Sequence, residues 1–172
     1  MYRAGRYGVG ANTAALLAEA GYRMDVSVRA LFNYSDERGP DFSRHPIWPW
    51  WAGQRGTGVL EVPLTVAYIG ACRRWPRLHR ITWLRGPLAA TRIINRVPLT
   101  PEGTPLAEAA AAVRRLLDDD VRLFSLSFHT PSVEIGHTPF VRDEADLSAF
   151  WRWWDGIFNI FAREGVLPAR VG

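Results

Sequence analysis

The run Val121-Arg122-Leu123-Phe124-Ser125-Leu126-Ser127-Phe128 constrains this chain more than any other stretch. It is long, apolar and rich in residues that suit a pleated surface, which predicts a strand. It ends at His129, and Thr130-Pro131-Ser132 then opens a loop. An Ala-rich segment from Leu106 to Leu117 precedes it and predicts a helix, closed by Asp118-Asp119-Asp120. A last helix is predicted from Asp143-Glu144-Ala145-Asp146 to about Arg163, with its acidic residues at the positive end of the helix dipole. Strands alternating with helices imply an α/β fold with a mostly parallel sheet.

The upstream part continues the alternation. Asn12 or Thr13 is placed to cap a helix through Ala20, and Gly21 is placed to stop it. Arg23 to Arg29 reads as a short strand, with Val26 and Val28 on one face and Asp25 and Ser27 on the other. Residues 30–57 form a long irregular stretch containing Pro46-Ile47-Trp48-Pro49-Trp50-Trp51, and loops of that length are often functional. Val59 to Leu64 is a further strand, residues 71–85 and 88–95 read as helices, and Pro98 to Pro105 as a linker. About four strands are few for a closed barrel. The 172 residues are expected to form a single domain.

Composition removes several function classes. With 48% hydrophobic and 22% charged residues the chain is globular rather than disordered. All 21 basic residues are Arg, and the net charge is +4. They are scattered, and the densest stretch, Arg73 to Arg85, is interleaved with Trp75, Leu78, Ile81, Trp83 and Leu84. That pattern is an amphipathic helix with a solvated basic face, so no nucleic-acid partner is expected. Cys72 is the single cysteine, which excludes an intrachain disulfide and fits a reducing compartment. No Cys/His spacing suggests zinc, and no apolar run reaches membrane-spanning length, so a cytoplasmic protein without a membrane span is expected.

Three residues are candidates for chemistry. His129 ends the strongest strand, where α/β proteins commonly place catalytic groups; the alternative is a residue that only closes the strand. Asp25 is a carboxylate at an alternating strand position, suited to orienting a histidine, or else an ordinary surface or turn residue. Arg3, beside Gly5 and Gly8, is able to form a two-pronged bond to a carboxylate, or is a plain terminal Arg. Gly8-Val9-Gly10 is not a dinucleotide fingerprint, because position 13 is Thr and no full strand precedes it. No G-x-S-x-G elbow occurs. His45, His79 and His137 have no partners at ligand spacing. Trp48, Trp50 and Trp51 are candidates for stacking on sugar rings, with packing of the long loop as the alternative.

Arg3-Ala4-Gly5-Arg6-Tyr7-Gly8, a helix, and Gly21-Tyr22-Arg23-Met24-Asp25-Val26-Ser27-Val28 together resemble the middle of polysaccharide deacetylases with the NodB homology domain. Ser127-Phe128-His129-Thr130-Pro131-Ser132 resembles their last catalytic motif, and Thr138-Pro139-Phe140-Val141-Arg142-Asp143 resembles a subgroup from polysaccharide gene clusters. The resemblance implies a distorted (β/α) barrel, of which this chain is the C-terminal part. It also implies hydrolysis of acetyl groups on a polysaccharide, with a zinc-like divalent metal polarising the acetyl carbonyl. By the same resemblance His129 is the general acid, Asp25 orients it, and Arg3 tethers the catalytic carboxylate. The family's Asp-Asp run and His-x-x-x-His metal motif do not occur in this sequence, so it carries no metal ligands of that kind. Ser127 stands where the family has Leu, and Ala4 and Gly5 where it has prolines. The chain is therefore expected to be inactive alone, with a partner chain or a second copy covering an open barrel edge. A non-catalytic carbohydrate-binding or assembly module on the same scaffold is the alternative.

Overall fold

The computed structural model describes residues 1–71, 87 and 93–170. Cys72 and both helices expected between 71 and 95, with their basic face and His79, lie almost wholly outside the described residues. The chain divides into two compact units: Met1–Val66 with Leu123–Ser125, and Ala67–Arg122 with Leu126–Gly172.

The first unit is built on a three-stranded sheet. Strand β1 (Met24–Asp25) pairs in parallel with β3 (Val59–Glu61), and β2 (Trp50–Ala52) pairs antiparallel with the other edge of β3. The sheet is therefore mixed rather than mostly parallel. Helix α1 (Thr13–Glu19) lies between Tyr2, which bridges Asp25 in parallel, and β1. It ends as expected at Gly21, whose φ of 82° lets Tyr22 N–H reach back to the Leu17 carbonyl and Gly21 N–H to that of Ala18. The β2–β3 turn depends on Gly58, where a Cβ would lie 2.3 Å from the Ala52 carbonyl oxygen.

The second unit holds strands β4 (Val66–Ile69, its first residue at the boundary) and β5 (Asn95–Pro98), which form a two-stranded sheet. It also holds helices α2 (Leu106–Asp118) and α3 (Glu144–Arg163). Both helices bury one stripe at helical spacing: Ala109, Ala112, Val113 and Leu116 on α2, and Phe150, Trp153, Ile157 and Phe161 on α3. The helices pack together, and Gly156 makes room, since a Cβ there would meet Leu106 Cδ2 at 2.2 Å. Asp143 caps α3 by accepting from the Asp146 N–H, so the acidic start expected from sequence carries a direct hydrogen bond.

The strand expected at 121–128 is a correction. This segment has no ladder pairing and is irregular throughout. The Ser125 N–H is taken by the Thr65 hydroxyl at 2.7 Å rather than by a carbonyl, although Thr65 N–H does reach the Ser125 carbonyl. Further along, Ser127 N–H makes one long bond to the Leu99 carbonyl at 3.3 Å. Isolated bonds of this kind leave an apolar segment extended without making it a strand. Among the described residues the strands form these two small sheets.

Candidate functional site

His129 stands at the turn that follows this extended segment. Phe128 packs edge-on against Phe150 and Trp154 of α3, with centroids 5.4 and 5.6 Å away, which fixes the backbone just before it. A 3₁₀ turn, Thr130–Val133, follows, with Ser132 N–H bonded to the His129 carbonyl at 2.8 Å. The ring is held by Glu102: Nδ1 lies 2.6 Å from Oε2. The His129 N–H donates to Oε1 of the same carboxylate at 2.8 Å, and Ser132 Oγ donates to it at 2.5 Å. Ser132 Oγ also lies 3.1 Å from Thr138 Oγ1.

The exposures separate the roles. The Glu102 side chain is 5% exposed and Ser132 is fully buried, whereas the His129 side chain is 58% exposed. A buried carboxylate thus grips one ring nitrogen while the rest of the imidazole faces water. This arrangement selects the tautomer with the proton on Nδ1 and leaves Nε2 free to exchange a proton with a ligand.

Glu102 was not legible as a site residue. It lies in Thr100-Pro101-Glu102-Gly103-Thr104-Pro105, which reads as a linker, and no spacing ties it to a histidine 27 residues away. The available signal was a turn built to hold it: Glu102 N–H bonds Thr100 Oγ1 at 3.2 Å, and Gly103 takes φ 81°.

The other expected residues are placed differently. Asp25 belongs to the first unit, 1% exposed, where Oδ1 accepts from Ser27 N–H at 2.9 Å and from Ser27 Oγ. The same Ser27 Oγ accepts from Ala4 N–H at 2.7 Å. Arg3 is exposed, with its guanidinium 5.9 Å from the Tyr7 ring centroid, and makes no ion pair with a described residue. Asp25 is therefore bonded within its own unit, and the carboxylate on His129 is Glu102. Trp50 and Trp51 alternate along β2 and so face opposite sides of the sheet. Trp50 tilts against His45 at 5.8 Å, while Trp48 and Trp51 are 60% and 37% exposed. His137 lies 3.6 Å from Glu134 on the surface.

The first unit contains a pair of adjacent acidic residues. Glu61 is the register partner of Asp25 across β1 and β3, and it is buried with its Oε2 unbonded. Burial, and then the charge of Asp25, push the Glu61 carboxyl up to about 7.

Among the described residues, no group of three or more His, Cys, Asp or Glu side chains is placed to hold a metal ion. No described helix is long and apolar enough to cross a membrane. No protein-family model matches the chain, and neither a curated protein nor a solved structure matches it.

Proposed function

We propose that this chain carries the proton-handling part of a polysaccharide deacetylase-like centre, in a cytoplasmic setting, with His129 as its general acid and Glu102 as the residue that positions it. The observation that carries the reading is the 2.6 Å contact between His129 Nδ1 and the buried Glu102, beneath a ring that is otherwise open to solvent. With Nδ1–H committed to Glu102, a proton on Nε2 of the imidazolium is the one available to a ligand. When the adduct of water and the acetyl carbonyl collapses, the C–N bond breaks, the acetyl group leaves as acetic acid, that proton passes to the departing amine nitrogen, and His129 is left neutral with its remaining proton on Nδ1. The motif order around His129 supports an acetylated sugar as the substrate. In this reading the metal donors are not among the described side chains, and a partner chain that covers the sheet edges is the source to seek.

Nitrogen-15 NMR of the His129 ring tests the proposal. Neutral His129 should carry its proton on Nδ1, and Glu102→Gln should shift the population towards Nε2. Titration with acetylated chitooligosaccharides should perturb the Nε2 resonance more than the deacetylated sugar does. A native ring protonated on Nε2, or no response to either sugar, removes the reading.

A second reading, a carbohydrate-binding module without hydrolysis, is favoured by the exposed Trp48 and Trp51. It expects saccharide binding that is lost in Trp48→Ala or Trp51→Ala while the His129 resonances stay unchanged.

A further inference from the structure

The second unit contains a cavity of about 340 Å³ lined by the 101–106 turn, Phe140 and one face of α3. That volume lies at the lower end of the small-molecule range, which favours a single ring over a chain or a polymer. Its lining is mostly apolar, with Pro101, Pro105, Leu106 and Phe140 joined by Phe150 and Trp153 of α3. The two prolines bring no backbone N–H to it. Phe140 is 43% exposed, so much of a large ring is left for a ligand to cover.

The walls are fixed by bonds that also use up most of the polar groups. Trp153 Nε1 donates to the Thr104 carbonyl at 2.9 Å, which pins the turn to α3. The Thr104 hydroxyl donates to the Pro98 carbonyl at 3.1 Å. A Cβ on Gly103 would lie 3.7 Å from Phe140 Cε1, so the turn and that ring are neighbours. Walls set before a ligand arrives lower the ordering cost of binding.

The charges select the ligand. Asp146, in the lining, is already engaged: it accepts from Arg142 Nε at 2.9 Å and from Arg142 N–H at 3.1 Å. Arg152 is bonded to no described residue. It is thus the one polar side chain of the described lining without a partner, and it is a cation. Helix α2 begins at the same cavity, at Pro105 and Leu106, with no side-chain cap, so the positive end of its dipole adds to Arg152. Glu108, in its first turn, is held by Asn95 Nδ2 at 2.9 Å. A neutral ligand leaves the guanidinium unpaired, whereas a carboxylate matches its two-pronged fork. A small hydrophilic anion would leave the apolar walls uncovered.

We infer that this cavity binds a small aromatic carboxylate, its ring seated against Phe140 and the prolines and its carboxylate held by Arg152. Neither His129 nor Glu102 is among the lining residues, so binding here does not depend on the acid–base reading above. Titration of the nitrogen-15-labelled full chain with phenylacetate, followed at the Trp153 indole N–H, tests it. The native chain should give a saturable shift there. Phenylethanol, which keeps the ring and lacks the charge, and acetate, which keeps the charge and lacks the ring, should each bind at least about tenfold more weakly. Arg152→Ala should weaken phenylacetate binding about tenfold, and Phe140→Ala about fivefold. Both side chains are exposed, and far-ultraviolet circular dichroism checks that each variant is folded. Arg152→Lys should keep part of the affinity, because the charge stays and the fork is lost. No saturable shift at Trp153, phenylethanol or acetate binding as tightly as phenylacetate, or native affinity in Arg152→Ala each overturns the site.

Discussion

Glu61 in the first unit and Glu102 in the second are both withdrawn from water, yet three donors converge on Glu102 and none reaches Oε2 of Glu61. The difference begins in local structure. Glu102 sits in a turn, where the backbone is free to wrap the carboxylate with the 129–132 segment. Glu61 sits in a strand, where the parallel register sets another carboxylate, Asp25, beside it. A buried acid with donors serves as an acceptor that positions other groups. A buried acid beside a like charge is driven to keep its proton. The first arrangement suits a site that holds one geometry, and the second makes stability depend on pH.

The largest expected effect follows from Glu61. Its carboxyl titrates at about 7 in the folded chain, against an ordinary value of 4.5. Between those values the folded chain keeps a proton that the unfolded chain has released. Stability should therefore be highest at and below about pH 4.5 as far as this group is concerned, fall as pH rises to about 7, and then level off. The gap corresponds to about 3 kcal/mol. Burial sustains it first, and the charge of Asp25 on the adjoining strand second. Urea midpoints at pH 5 and pH 8 measure the slope, and Glu61→Gln should remove most of it by making the variant the more stable protein at pH 8. A Gln variant that keeps the native slope would break the comparison at its first member.

The same exchange in the second unit should have the opposite sign. Glu102→Gln places an amide NH₂ among groups that are themselves donors, so at least one of the His129 and Ser132 bonds is lost. The expected cost is about 2 kcal/mol. A neutral result in urea unfolding would mean that the three donors find water or other partners easily.

The serines sharpen the contrast one step further out. Ser27 both donates to Asp25 and accepts from Ala4 N–H, so Ser27→Ala leaves a buried backbone donor without its acceptor. Ser132→Ala removes one of three donors from Glu102 and orphans nothing on the backbone. The expected losses are about 2 kcal/mol for Ser27→Ala and about 1 kcal/mol for Ser132→Ala. Equal losses would show that the two hydroxyls do the same work.

Much of this architecture was legible in the sequence where the signal was local. α2 and α3 follow from apolar spacing, the α3 cap from Asp143, and the end of α1 from Gly21. The 121–128 segment was misread because an apolar run reports burial and extension, whereas a strand also needs a neighbour in register, which is a tertiary fact. His129 was legible by its position after that run. Its partner was not, because Glu102 lies in a proline-flanked turn and the contact spans 27 residues without periodicity. The pairing of Asp25 with Glu61 was hidden in the same way: each residue looks ordinary on its own strand, and only the register makes them neighbours.

The smallest prediction concerns how the helices of the two units end. α1 ends at Gly21 and α3 at Gly165, both with positive φ, whereas α2 ends with Asp120 at φ 62° in the equivalent position. All three make the same pair of closing bonds; at α2 they run from Val121 N–H to the Leu116 carbonyl and from Asp120 N–H to that of Leu117. A residue with a Cβ is strained there in a way glycine is not. Asp120 also adds negative charge next to Asp119 at the negative end of the helix dipole. Its contact with Arg122 lies at the surface, where ion pairs contribute little. Asp120→Gly should therefore raise stability by about 0.5 to 1 kcal/mol, less the entropy that glycine adds to the unfolded chain. A urea midpoint moving upward would show that the second unit tolerates a strained helix end that the first avoids. A downward shift would mean that Asp120 and Arg122 hold the start of the 121–128 segment more firmly than a surface pair ordinarily does.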